Sequence, residues 1–241
     1  MKITNNKILI TGGASGIGLG LATRFIKENN KVIIVGRRGA LLNEISVKHP
    51  EIITRRVDLS LVHEREDLYK WISKEHSDLN VLVNNAGIQQ RISITDRNFY
   101  SLTKDEIAIN IEAPLHLISL FSNLKNLNTI INTTSGLAFV PMAGMPVYCA
   151  SKSFFHSFTL SLRHQFKTRN IEIIELIPPA LNTDLGGKGL HTNAPPVSEF
   201  IEAVFMQLKA GKTEISYGFS EAMTKATPDD LQKTFNRMNS A

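Results

Sequence analysis

The sequence predicts a doubly wound α/β fold with a parallel sheet, and three observations carry that expectation. Short apolar runs alternate with helix-length amphipathic segments along the whole chain. A glycine-rich turn follows the first apolar run and opens the first helix. No linker, low-complexity tract or internal repeat divides the 241 residues, so one domain spans 1–241.

The runs Ile8-Leu9-Ile10, Val32 to Val35, Val81-Leu82-Val83, Thr129 to Ile131 and Ile171 to Ile177 read as buried strands. Ile17 to Glu28, Leu61 to Glu75, Lys104 to Leu124 and Val147 to Lys167 are of helix length. Strand, helix, strand in repetition implies a parallel sheet covered on both faces, because a parallel crossover lays its helix on the sheet. Right-handed crossovers make it doubly wound. Ile52 to Val57 is a weaker strand, interrupted by Arg55-Arg56. The segment Asn182 to Ser198, with three glycines and two prolines, is long for a plain connection and reads as a substrate-binding flap before a further amphipathic helix.

Composition is that of an ordinary globular protein, 42% hydrophobic and 20% charged. The net charge of +5 would attract an anionic ligand, but Lys and Arg are scattered in pairs rather than a stripe, which argues against nucleic acid. One cysteine, Cys149, permits no internal disulfide. Met1 leads into polar Lys2, Thr4, Asn5 and Asn6, and no long apolar run follows, so the expectation is a cytoplasmic protein with no membrane partner. The seven histidines form no cluster of metal-ligand spacing, and no metal is expected.

Thr11-Gly12-Gly13-Ala14-Ser15-Gly16-Ile17-Gly18 lies between the first strand and the first helix. Glycines there let the backbone turn sharply and approach a diphosphate seated on the helix N-terminus. Gly36 ends the second strand, and Arg37 and Arg38 follow with no carboxylate before Glu44. A carboxylate would hold a ribose 2′-hydroxyl, whereas a guanidinium forks onto a 2′-phosphate. That favours NADP(H) over NAD(H). Asn84-Asn85-Ala86-Gly87 closes the fourth strand, at the sheet edge where a ligand would lie.

Tyr148 and Lys152 stand four residues apart, on one helical face, downstream of Ser135 at a strand end. A phenol titrates near pH 10, too high for proton transfer at neutrality, and a nearby ammonium would lower it. Tyr100 and Lys104 repeat the spacing but lack an upstream strand-end serine and read as a surface or packing pair in a connecting segment. Pro114 has no N–H to bond the carbonyl four residues back, which belongs to Asn110, so that acceptor is expected to stay open for a water.

Taken together, Thr-Gly-x-x-x-Gly-x-Gly, Asn-Asn-Ala-Gly, the strand-end serine and Tyr-x-x-x-Lys resemble the short-chain dehydrogenase/reductase family over nearly the whole chain. Pro178-Pro179, Asn84 to Gln89, Ser135 to Phe139 and Val147 to Ala150 are similar to a DltE-like subgroup of it. The resemblance implies a single-domain Rossmann fold with a seven-stranded parallel sheet in order 3-2-1-4-5-6-7. It further implies an oxidoreductase that moves a hydride between nicotinamide and a carbonyl or secondary alcohol.

By resemblance, Tyr148 is the acid/base, Lys152 lowers its pKa and holds the nicotinamide ribose, Ser135 binds the substrate oxygen, and Asn110 binds a relay water. Gly12, Ser15, Gly16, Ile17, Gly18, Arg37, Arg38, Leu59, Asn85, Ala86, Gly87, Pro178 and Thr183 are implied to contact the cofactor. Asp58 is implied to meet the adenine amine, though as a lone acid it could equally cap the next helix. Pro179 departs from the usual glycine at the carboxamide site. Met142, Met145, Phe139, Leu185 and Leu190 either line an apolar pocket or pack as ordinary core. A homodimer or homotetramer is implied, pairing through the helices of Asn110 and Tyr148. A non-catalytic nucleotide sensor is the rival; such proteins lack the tyrosine or lysine that this chain retains.

Overall fold

The computed structural model describes residues 1–240. Seven strands, β1 (Lys7–Thr11), β2 (Lys31–Gly36), β3 (Ile52–Arg56), β4 (Val81–Asn84), β5 (Thr129–Thr133), β6 (Glu172–Ile177) and β7 (Glu214–Ser216), form one sheet in the order β3-β2-β1-β4-β5-β6-β7. Every pairing is parallel. The order reverses between β1 and β4, which opens a crevice at the carboxyl edge of the sheet.

Side chains on a strand alternate between faces, and the two cores follow that alternation. Ile8, Ile10, Val32, Ile34, Val81 and Val83 pack on one side with Leu21 and Phe25 of α1 (Gly16–Lys27), Leu42 and Ile45 of α2 (Gly39–Lys48), and Phe200, Val204 and Phe205 of α7 (Val197–Lys209). Leu9, Ile33, Val35, Leu82 and Ile130 pack on the other. Their partners are α3 (Val62–Glu75), α5 (Ala113–Phe121) and α6 (Pro146–Gln165).

The weak strand is real and its arginines are explained by its place. β3 is an edge strand, where Arg55 lies 4.5 Å over the Trp71 ring and Arg56 Nε donates to the Arg37 carbonyl. No local pattern predicts a helix at α2, whose N-cap Arg38 makes no capping bond. The C-terminal helices α8 (Phe219–Thr224) and α9 (Pro228–Asn239) were likewise not expected. The latter had a readable signal, because Thr227 and Asp230 form a capping box around Pro228.

The helix expected from Lys104 begins earlier and is not continuous. α4 runs Phe99–Ile107, a π-helical turn occupies Ala108–Glu112, and α5 follows. Ala113 N donates to the Ala108 carbonyl, five residues back. Pro114 cannot donate, and its ring crowds the preceding turn, so the wider turn accommodates it. Tyr100 and Lys104 therefore lie on α4 rather than in a connecting segment, and Tyr100 is 75% exposed. Among the described residues, no helix is long and apolar enough to cross a membrane.

Phe205 is the keystone of the α1–α7 contact. Its ring meets Phe25 edge-on at 4.8 Å and is covered by Arg24. Phe205→Ala should cost about 3–5 kcal/mol of stability, read by urea unfolding of the intact chain.

Candidate active site

The crevice is built first from β1. Thr11 Oγ1 accepts hydrogen bonds from Asn85 N (2.9 Å) and Ala86 N (3.0 Å) and donates to the Val83 carbonyl. Asn85 Nδ2 returns a bond to the Thr11 carbonyl at 3.0 Å. The glycine loop is thereby tied to the end of β4. Thr11 was read only as the start of a motif; its cross-strand role has no signal in the local pattern.

The loop needs glycine for contact. A Cβ on Gly18 would lie 2.4 Å from the Gly12 carbonyl oxygen, and one on Gly12 would lie 2.9 Å from Ala86 Cα. Ser15 caps α1 with extended backbone but makes no capping bond; its Oγ accepts from Arg38 Nη2 at 2.7 Å. The first turn of α1 holds no acid, leaving its N-terminal N–H groups and dipole to favour an anion. Ile17 packs on the α1 core.

Asp58 Oδ1 accepts from Ser60 N and Oγ, while its own N–H donates to Glu64. Burial pushes its carboxyl up, but the Ser60 bonds and the charges of Arg37 and Arg56 outweigh that and hold it below the usual range. Leu59 is buried against the α3 side of the core. Pro178 accepts from Gly136 N at 3.1 Å, and the Thr183 methyl would lie 3.2 Å from a Cβ on Gly16. Thr183 thus sits over the start of α1.

At the reacting end, Ser135 has extended backbone and accepts from Leu137 N at 3.1 Å, capping a short 3-10 turn. Its hydroxyl faces the Tyr148 phenol and favours the ionised form of that phenol. Lys152 Nζ donates to the Thr133 carbonyl at 2.9 Å and lies 5.8 Å from the Tyr148 ring centroid. Asn110 Oδ1 accepts from Ile88 N, and Nδ2 donates to the Ile88 carbonyl and to Ser151 Oγ. Ser151 in turn donates to the Tyr148 carbonyl, so Asn110 is linked to the helix of Tyr148. A Cβ on Gly87 would stand 3.4 Å from Asn110 Oδ1 and 3.5 Å from Lys152 Nζ. Asn110, Pro114, Lys152, Thr11 and Leu59 line a small cavity of about 10 Å³.

The electrostatics differ from the expectation that Lys152 lowers the phenol. Burial pushes Tyr148 well up, reinforced by Cys149 and Glu106, with only the Ser135 hydroxyl opposing. Burial alone pushes Lys152 down to about 8. The reason is geometric: the ammonium bonds a carbonyl rather than the phenol, and neither charged form is solvated. Burial likewise raises Cys149, which makes it a poor nucleophile.

Met142, Met145 and Leu185 gather with Leu137 around Tyr148 and Cys149 as an apolar wall. Two of the residues expected there do not join it. Phe139 is turned onto His156 (4.6 Å between ring centroids), and Leu190 is half exposed beside Gly187. The segment after β6 has its ends pinned by Asn182 N to the Pro195 carbonyl, and α7 begins at Val197, two residues inside the expected flap. Gly186, Gly187 and Gly189 all take positive φ. Glu106, fully buried, accepts from Gln90 N at 2.8 Å; beside Asp105 in an amphipathic segment, it gave no sign of this.

With that geometry in place, the short chain dehydrogenase family model matches residues 6–193. The chain belongs to that family. This short-chain dehydrogenase is 44% identical to the uncharacterized oxidoreductase DltE of Bacillus subtilis, over 99% of this chain and 98% of that protein. It is 30% identical to L-xylulose reductase of Caenorhabditis elegans, over 76% and 74% of the two chains. A short-chain dehydrogenase from Burkholderia cenocepacia, solved in complex with NADP, superposes with a TM-score of 0.86 over the full length of both chains at 21% identity. One from Burkholderia phymatum, solved with NAD, gives 0.81 over 100% and 99% at 17% identity. The chain is an oxidoreductase of this family, on its Rossmann-like fold.

The depressed lysine is directly observable. In an NMR titration of nitrogen-labelled lysines, Lys152 should titrate near 8, while exposed lysines titrate near their ordinary value of about 10.4.

Proposed function

We propose that this short-chain dehydrogenase is an NADP(H)-dependent oxidoreductase acting on a carbonyl or secondary alcohol, with Tyr148 as general acid/base. The observation that carries the reading is the convergence of the buried Ser135 hydroxyl and Tyr148 phenol, with buried Lys152 one turn along the same helix face. Bound NADP(H) would supply or accept the hydride at the substrate carbon.

The residues fit that cofactor. The close approach of Gly12, Gly18 and Ala86 leaves backbone N–H groups free of side chains for a diphosphate, and Ser15, Gly16 and Ile17 open α1 above it. Arg38, already on Ser15, and neighbouring Arg37 would fork onto a 2′-phosphate. Asp58 and Leu59 would meet the adenine, and Asn85, Ala86 and Gly87 the ribose side of the crevice. Pro178 and Thr183 would face the carboxamide. The relatives solved with NADP and with NAD are in keeping with a dinucleotide there; the arginine pair favours the phosphorylated form.

In reduction, Ser135 would hold the carbonyl oxygen and Tyr148 would give it a proton as the carbon receives the hydride, so atoms and charge balance in an alcohol. Burial keeps that proton on the phenol at neutral pH. Lys152 would release Thr133 to hold the ribose and restore the phenolic proton, with a water in the cavity lined by Asn110 and Pro114 behind it. Residues 182–196 would close over the substrate, against the wall of Met142, Met145 and Leu185. Pairing into a homo-oligomer belongs to the same reading, supported by exposed Ile107, Phe154 and Leu160 on α4 and α6.

The test is an NADPH-oxidation screen over ketones, aldehydes, quinones and acyl thioesters. Tyr148→Phe should lower turnover by at least about 10²-fold with NADPH still bound; undiminished turnover would refute the mechanism. Arg38→Ala should weaken NADPH by roughly 1.5–3 kcal/mol and leave NADH little changed, measured by fluorescence titration; equal losses would refute the phosphate contact.

A further inference from the structure

Tyr148, Lys152 and His156 occupy successive turns of one face of α6. The reading above uses two of them. The third reaches into the sheet, where its Nδ1 lies 2.9 Å from Oε1 of Glu175 on β6. Thr134, the residue before Ser135, donates its hydroxyl to that same oxygen at 2.7 Å. The Thr134 N–H donates to the Leu176 carbonyl, so this threonine is held to β6 from both backbone and side chain.

Packing does not explain Glu175. It is fully buried, and its neighbours on β6 are Ile173, Ile174, Leu176 and Ile177. Its Oε2 has no partner among the described residues. A buried carboxylate with one bare oxygen is costly, and an apolar side chain of similar size would stabilise the sheet as well or better. What the carboxylate does provide is a single oxygen on which a helix residue and a strand-end residue converge.

We propose that His156, Glu175 and Thr134 form a positioning bridge that locks α6 to the end of β5 and so sets how the Ser135 hydroxyl and the Tyr148 phenol face each other. The inference rests on the reading of Ser135 and Tyr148 as the reacting pair. Two further ties join these elements: Asn132 Nδ2 donates to Thr159 Oγ1 at 3.0 Å one turn beyond His156, and Lys152 holds the Thr133 carbonyl, Lys152 being the group called away to the ribose. The bridge keeps the strand end beside Ser135 in register while that last tie is released. His156 touches neither substrate nor cofactor; it acts through Thr134.

The bridge also carries a pH dependence. The groups facing His156 are Glu175 of β6, Glu214 of β7, Arg163 further along α6, and the Phe139 ring. The Glu175 hydrogen bond raises the imidazole above its ordinary value, against burial and Arg163. Its folded pKa being raised, the ion pair contributes in full below about pH 6.5. The contribution is lost as pH rises through the folded value, where the charge-assisted bond weakens.

The experiment follows Tyr148 itself, by NMR of the full chain with ring-labelled tyrosine; there are four tyrosines, and Tyr148→Phe assigns the signal. In the parent chain the Tyr148 resonance should step at the pH where His156 loses its proton. His156→Asn keeps a donor without a titration and should remove the step while keeping the low-pH position. His156→Ala and Thr134→Val should shift the signal at all pH values, and Thr134→Ser should restore it. On any substrate found in the carbonyl screen, His156→Ala should lower kcat by roughly ten- to a hundredfold with the KM for NADPH unchanged. A Tyr148 signal that stays put in His156→Ala and Thr134→Val, whatever their melting temperatures, overturns the bridge. If His156→Ala fails to fold, the Thr134→Val and Thr134→Ser pair decides. Because the signal is read without substrate, an inactive screen would count against the enzymatic reading and not against the bridge.

Discussion

The grip of α6 on the carboxyl end of β5 is the constraint on which the site depends. Lys152 holds the Thr133 carbonyl, Tyr148 meets the Ser135 hydroxyl, and His156 meets the carboxylate that Thr134 also binds. These contacts join one helix face to three consecutive strand-end residues. Apart from the half-buried His156, each of these polar groups is buried and must find its partner or cost free energy comparable to a lost hydrogen bond. The helix cannot slide by a residue without stranding several of them at once.

The same burial governs the chemistry. A phenol and an amine placed together in water would titrate near their ordinary values; here both charged forms are disfavoured, one value moving up and the other down to about 8. The phenol holds its proton more tightly and the amine releases one more readily, so the two values lie further apart than they do in water. The nucleotide end follows the opposite principle. Its anion-attracting features are open backbone N–H groups at α1 and the exposed arginines of the β2 and β3 ends. The sheet carries both ends on one edge because all its strands are parallel.

Much of this was legible in the chain. The strand runs, the glycine loop, Ser135 and Tyr-x-x-x-Lys lie within local windows, where hydrophobic period and short motifs operate. Tyr100–Lys104 shows the limit of spacing: the same four-residue offset leaves Tyr100 in solvent on α4. The break in the helix at Ala108–Glu112 had its cause in plain view at Pro114, and its form, a π-helical turn, did not. The helix α2 lacks caps and a strong apolar stripe, and packing against β3 rather than local propensity holds it.

By itself the sequence determined the alternation of strand and helix, the phosphate loop and the residue types able to do proton and hydride chemistry, because each is written in neighbours. Only the tertiary structure decided which of those residues share an environment. Thr11 with Asn85, Glu106 with Gln90, His156 with Glu175, and Thr134 with Glu175 are separated by 74, 16, 19 and 41 positions. Their meaning comes from the removal of water around them, and burial of that kind is a property of the packed sheet and helices, not of any window of the chain.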